Sequence, residues 1–313
     1  MDVIETRSLV KVFRGRRWTV EALRGVDFTA PRGSITALVG PNGAGKTTLL
    51  KVISTLILPT SGEAYVDGMD VVSRAKDVRR VIGLVTVSDR LLYYRLSGVD
   101  NLTFYGMLYG MPTSYARARA RDLLELVGLG EWGEEPVMHY STGMMRRLAI
   151  ARALMHDPDV ILLDEPTLGI DAASSRRIHR LLGELSSGRT IVLTSHLMKE
   201  VEELAGSIYV MRAGRIVARG TAEEIKAMVG RIVEAGLKPE AVDEGLLKFV
   251  VRSEPGLVIV RAPEDIIPES AVYVRDVEPT LEDAYVILAG EGGADLRPYQ
   301  FRRGGAHAHG GHV

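Results

Sequence analysis

The eight residues Gly40-Pro41-Asn42-Gly43-Ala44-Gly45-Lys46-Thr47 constrain this chain more than any others. They fit the pattern G-x-x-x-x-G-K-[ST] and lie between an apolar run, Ile35 to Val39, and a helix-like run from Thr47 to Ile53. Strand, glycine loop and helix in that order form a cradle for phosphates. Glycines let the backbone wrap closely, and successive N–H groups at a helix start supply oriented positive potential. Lys46 then suits the β- and γ-phosphates, the Thr47 hydroxyl suits Mg²⁺, and Thr48 adds a second hydroxyl for phosphate. The loop points to a nucleotide with Mg²⁺ and leaves the reaction open.

Two further strand ends extend the same chemistry. Val160-Ile161-Leu162-Leu163 runs into Asp164-Glu165, and Thr190-Ile191-Val192-Leu193-Thr194-Ser195 runs into His196. Acids at the carboxyl end of a parallel strand border the nucleotide crevice. There Asp164 would hold Mg²⁺ and Glu165 would take a proton from the attacking water. His196 would bond the γ-phosphate and orient that water. A solvated acidic turn and a structural histidine are the plainer alternatives. The phosphate loop upstream weighs against both.

Around these motifs, strand-like and helix-like runs alternate, the pattern of a sheet with parallel strands. Thr19 to Leu23 and Val26 to Thr29 read as separate strands before Ile35 to Val39. Ser97 to about Gly128 reads as helical, with Leu102, Tyr105 and Leu108 on one face and Leu123, Leu124 and Val127 on another. Ile208 to Met211 and Arg215 to Ala218 form a hairpin about Ala213-Gly214. Beyond Gly220 come a helix at about Ala222 to Val229 and short β-like runs at Leu247–Arg252, Leu257–Arg261 and Ala271–Val274. The expected division is therefore 1–220, 221–289 and a glycine-rich, disordered tail at 290–313. The tail's His307, His309 and His312 could bind a metal, but glycine-rich flexibility is the simpler reading.

Composition narrows the class. At 313 residues the chain exceeds a typical single core, and 46% hydrophobic with 25% charged residues is globular. A formal net charge of -1 gives no general field for nucleic acid. Without cysteine there is no disulfide framework and no thiolate metal site, which fits a reducing compartment. Met1 to Glu5 does not resemble a secretory leader. No apolar run approaches the ~18 residues of a spanning helix, so a membrane role requires a partner.

Tyr140-Ser141-Thr142-Gly143-Met144, followed by Met145 to Leu154, together with Leu163-Asp164-Glu165-Pro166-Thr167-Leu168-Gly169-Ile170-Asp171, resembles the ATP-binding-cassette (ABC) ATPases. The resemblance covers about residues 5 to 225. It implies an α/β fold: a P-loop NTPase core of ABC type with an antiparallel β subdomain, an inserted helical subdomain at about 88–149, and a small α+β C-terminal domain. The family signature is Leu-Ser-Gly-Gly-Gln, of which Ser141 and Gly143 are kept. At a helix start they can give a hydroxyl and a close N–H to the γ-phosphate of ATP held by a second copy. A Ser-capped amphipathic helix describes the same residues. Asp171 matches the aspartate that couples the paired sites, and Phe13 the aromatic that stacks on adenine, with a core aromatic as its alternative and Trp18 as a weaker candidate.

The family's Gln after the strand at Val81 to Val85 is missing, and Asp89 in Thr86-Val87-Ser88-Asp89-Arg90 is the candidate replacement Mg²⁺ ligand, with a merely solvated Asp as the alternative. Val277-Glu278-Pro279-Thr280-Leu281-Glu282-Asp283-Ala284-Tyr285 looks like the terminal motif of daunorubicin-resistance-type exporter ATPases, whose C-terminal domain helps hold the dimer. The resemblance thus implies an ATP-hydrolysing subunit, working as a dimer with Mg-ATP, on the cytoplasmic face of a membrane. It would drive a separate permease through exposed aromatics near Tyr93 to Tyr109. The competing readings are a soluble ABC ATPase and a non-catalytic nucleotide-binding regulator with a degenerate site.

Overall fold

A computed structural model describes residues 2–86 and 92–290. Its central sheet has the strand order β10-β9-β3-β8-β7-β6. These strands are Ile35–Val39 (β3), Ile82–Val85 (β6), Val160–Asp164 (β7), Thr190–Ser195 (β8), Ser207–Arg212 (β9) and Arg215–Gly220 (β10). All run parallel except β10, which turns back antiparallel on β9. Strands β3, β7 and β8 are buried along their whole length, because unbroken aliphatic runs suit a sheet covered on both faces. The register pairs Val39 with Ser195 and Asp164 with Thr194, so three strand ends finish together.

An antiparallel sheet of order β2-β1-β4-β5 packs beside this core. It comprises Asp2–Arg14 (β1), Thr19–Pro31 (β2), Ser61–Val66 (β4) and Met69–Asp70 (β5). The two strands expected at Thr19–Leu23 and Val26–Thr29 are one. A bulge at Gly25, with φ 72, moves the pairing from Leu9↔Val26 to Val10↔Arg24 without ending the strand. Strand β1 is absent from the sequence reading because Ser8, at φ 46, breaks its alternation.

Helix α1 (Lys46–Ile53) follows the phosphate loop, and α2 (Ala75–Val81) leads into β6. Helices α3 (Gly98–Leu108), α4 (Thr113–Leu126) and α5 (Thr142–Ala153) pack on one another. Leu123, Leu124 and Val127 are buried as expected, whereas Leu108 is 65% exposed. The buried stripe of α3 runs through Val99, Leu102, Thr103 and Gly106. Strict steps of three drift about 60° each around an α-helix, which carries Leu108 off that stripe. Helix α5 lies along β6, the outer strand. The carbonyls of Ile82, Leu84 and Thr86 accept hydrogen bonds from His156 Nε2 (2.9 Å), Arg152 Nη2 (3.1 Å) and Arg146 Nη1 (3.1 Å).

Helices α6 (Ala172–Ser186) and α7 (Met198–Leu204) complete the cover. After α8 (Ala222–Ala227) comes an antiparallel sheet of order β12-β13-β11-β14. Its strands are Ile232–Leu237 (β11), Val250–Glu254 (β12), Leu257–Pro263 (β13) and Tyr273–Val277 (β14). The strand expected at Leu247–Arg252 begins only at Val250. Asp243 accepts a 2.9 Å hydrogen bond from the Leu246 N–H and caps the short helix α9 (Glu244–Leu247) instead. The final helix α10 (Leu281–Ala289) returns to α7, α8 and β9, where Leu281, Ala284 and Tyr285 share one core with Val201, Ile208 and Ile225. Arg261 on β13 grips Asp283 at 2.8 Å and fixes the start of α10 to the sheet.

Candidate active site

The three flush strand ends deliver the phosphate loop, Asp164-Glu165 and His196 to one crevice. Gly45 stands at φ 109 immediately before α1, and a Cβ there would lie 2.6 Å from the Ala22 carbonyl oxygen. No side chain caps this helix, so its leading N–H groups stay available.

Lys46 is buried, with Nζ hydrogen-bonded to the carbonyls of Gly40 and Pro41 and 4.0 Å from Glu165 Oε1. Burial pushes its ammonium below the ordinary lysine value, while Glu165 and then Asp164 oppose that shift. Thr47 Oγ1 donates to both Asp164 carboxylate oxygens at 2.9 and 3.0 Å. Thr194 Oγ1 donates to Asp164 Oδ1 at 2.8 Å and accepts from the Glu165 N–H at 2.9 Å. One hydroxyl therefore sets both acids, holding Glu165 at φ 49, a backbone conformation that side-chain-bearing residues rarely adopt.

Glu165 Oε2 accepts a 2.7 Å hydrogen bond from His196 Nδ1, which raises the imidazole above its usual value against the opposing effect of burial. Lys46, Thr47, Asp164, Glu165 and His196 are thus in one place. Thr47 and Asp164 present hard oxygen donors side by side. Among the described residues there is no cluster of three or more His, Asp or Glu able to hold a metal. That donor set fits Mg²⁺, which typically takes only one or two protein ligands and fills the rest with phosphate and water. Asp89 lies outside the described residues.

Ser141, Gly143 and Asp171 gather at a second place. Ser141 is the N-cap of α5, its Oγ accepting from the Met144 N–H at 3.2 Å. A Cβ on Gly143 would lie 2.5 Å from Ser174 Oγ, so the close approach of α5 to α6 requires glycine. Asp171 caps α6 by accepting from the N–H groups of Ala173 and Ser174, and its other oxygen accepts from Ser174 Oγ at 2.7 Å. Those bonds, the Ser174 hydroxyl first, hold its carboxyl below the usual range. Tyr140 donates to the Trp132 carbonyl at 2.7 Å, and burial pushes its phenol up to about 12. A cavity of about 490 Å³ opens here, lined by Trp132, Ser141, Met144, Arg147, Ser174 and Arg177 among others.

Phe13, near the end of β1, is only partly buried and has the Lys11 ammonium 5.0 Å from its ring centroid. It is not a core aromatic. Trp18 is 57% exposed. Thr194 and Ser174 escaped the sequence reading. For Thr194 the available signal was a hydroxyl inside a buried strand, which needs a partner; Ser174, on α6, carried none.

A phosphate loop opposed by acids and a histidine on parallel strand ends defines a nucleotide-binding ATPase core. The family model described as "ABC transporter" matches residues 23–168. The chain is 37% identical over 214 residues to the ABC transporter ATP-binding protein NatA of Bacillus subtilis, covering 68% of this chain and 87% of that one. It is 38% identical over 295 residues to the daunorubicin resistance ATP-binding protein DrrA3 of Streptomyces coeruleorubidus, covering 87% and 92%. The dimeric post-hydrolysis ATP-binding cassette MJ0796, bound to ADP and Pi, superposes with a TM-score of 0.64 at 26% identity, over 70% of this chain and 98% of that one. The chain belongs to the ABC transporter family, as its ATP-binding, ATP-hydrolysing subunit.

Proposed function

We propose that this subunit powers an exporter of drug-like or lipid-like small molecules through a separate membrane permease, and that two copies close head to tail on two ATP molecules. The relatives named for daunorubicin and doxorubicin resistance support the export reading. So does the Pro279 to Tyr285 motif, which forms a capped helix locked to its sheet by Arg261 and Asp283. No helix among the described residues is long and apolar enough to cross a membrane. In this reading the subunit works at the cytoplasmic face, held there by its permease. Tyr93, Tyr94, Phe104, Met107, Leu108 and Tyr109 are exposed around α3 and form the docking surface, with Asp89 nearby in sequence as the substitute for the missing Gln. The sheet β11–β14 and α10 help hold the two copies together.

In this reading Phe13 stacks on adenine, and residues 40–48 take the phosphates by backbone N–H groups, Lys46 and Thr48. Mg²⁺, when bound, would spread phosphate charge through Thr47 and Asp164. Glu165 accepts the proton of the attacking water, and its hydrogen bond from His196 fixes the carboxylate. The second copy's Ser141 and Gly143 close the far side, with Asp171 coupling the two sites. The observation that carries this is the convergence of Lys46, Asp164, Glu165 and His196 at three flush strand ends.

The test is Glu165→Gln. ATP binding should persist, hydrolysis should fall by about 10²–10⁴-fold, and an ATP-bound dimer should accumulate in size-exclusion chromatography with light scattering. Near-normal turnover would remove Glu165 from the role of base.

A further inference from the structure

Glu200 is an acid that none of the proposed roles uses. It sits in the first turn of α7, four residues after His196, with its side chain only 14% exposed. Its Oε2 accepts from Thr167 Oγ1 at 2.6 Å, and its Oε1 accepts from Ser175 Oγ at 2.8 Å. His179 Nε2 lies 3.1 Å from the same Oε1, and its Nδ1 lies 3.8 Å from Glu203.

These partners come from separate parts of the chain. Thr167 follows Glu165 by two residues, and Ser175 and His179 lie on α6. Thr167 and Ser175 bracket the stretch 168–174, which carries Asp171. One carboxylate thus bolts three pieces together: the segment leaving the catalytic strand β7, the helix that Asp171 caps, and the helix that His196 leads into. Hydrogen bonds to a carboxylate are short and strong, and in a low-dielectric site the loss of one strands its donors. Helix α7 is two turns long; Met198 and Val201 bury its inner face and the Leu197 N–H bonds to Ser195 Oγ, while Glu200 ties the start of the helix to Thr167 and to α6.

We infer that Glu200 is a positioning residue for hydrolysis, keeping His196 and the Asp171 segment in one frame so that both halves of a closed site are set together. The inference rests on the roles proposed above for His196 and Asp171. It predicts a defect in turnover rather than in nucleotide capture, because Glu200 touches neither the phosphate loop nor Phe13.

The experiment compares Mg-ATP hydrolysis by the full chain with Glu200→Ala, Glu200→Gln, Thr167→Val and Ser175→Ala. Displacing a reacting group by ~1 Å can lose on the order of 100-fold, so E200A should lower kcat at least about tenfold while KM for ATP changes less than about threefold. E200Q keeps an acceptor for Thr167 and an amide for Ser175 Oγ, and should recover most of the rate. Thr167→Val should add little on top of E200A, since the Thr167–Glu200 bond it removes is already lost in E200A. A kcat unchanged in E200A, or an E200Q as slow as E200A with the same thermal stability as the wild type, would overturn the inference. If E200A does not fold, Thr167→Val and Ser175→Ala must each lower kcat at unchanged KM, or the inference fails. Glu165→Gln runs alongside: if it hydrolyses normally the site reading is wrong, whereas an inactive E165Q beside a normal E200A refutes Glu200 alone.

Discussion

Helix α1 begins just after a glycine and helix α5 carries one in its first turn, yet they deal with their unpaired N–H groups in different ways. Helix α1 starts from Gly45 with no side-chain cap, so its first amides can be satisfied from outside the chain. Helix α5 starts from Ser141, whose Oγ already accepts from the Met144 N–H, leaving its hydroxyl hydrogen and the N–H groups of Thr142 and Gly143 to give away. The first end takes no cap from its own side chains; the second is partly capped from within and adds a hydroxyl hydrogen to its remaining N–H donors. The difference suits a phosphate cradle in one copy and a closing face supplied by another.

Forcing a side chain onto the uncapped end should have the largest effect. In Gly45→Ala the new Cβ meets the Ala22 carbonyl at φ 109, where strain typically costs about 1–3 kcal/mol. Urea unfolding should register a loss of that size, and calorimetry should show ATP binding weakened more than about tenfold, because the strain falls on the loop itself.

Ser141 sharpens the contrast by separating cap from donor. Ser141→Ala should destabilise by about 1 kcal/mol, whereas Ser141→Gly should lose only a few tenths. Both should slow hydrolysis alike, with ATP affinity of the single copy unchanged. If S141G hydrolyses at the wild-type rate, the hydroxyl has no part in closing the site.

The smallest effect concerns His196. Its hydrogen bond to Glu165 raises the folded imidazole above the ordinary 6.5. The associated stability is fully present below that value and fades as pH rises through the folded one. Exposure of the ring keeps it small. NMR titration should find the His196 transition above the ordinary value in the wild type and shifted down in Glu165→Gln.

What could be read in advance followed from how local each feature is. The phosphate loop, Asp164-Glu165 and His196 each end an apolar run and sit within a few residues of the strand that places them. Thr194 was in plain view within such a run, but its dual bond to Asp164 and the Glu165 N–H spans some thirty residues. Glu200 looks like any helical surface acid until Thr167 and Ser175 come together on it. The C-terminal sheet was harder, since its central strand β11 is interrupted by Glu234 and Gly236. Glu234 is accounted for only by Arg275 and Tyr273 on the neighbouring strand.

The three side chains that α5 and the turn after it lay along β6 have a consequence for solubility. An outer strand with free carbonyls is a template for a stray chain, and Arg146, Arg152 and His156 occupy three of those acceptors on this one. Whatever loosens α5 bares that flank, so damage to the helix bearing Ser141 will surface first as clumping during expression, ahead of any loss of nucleotide.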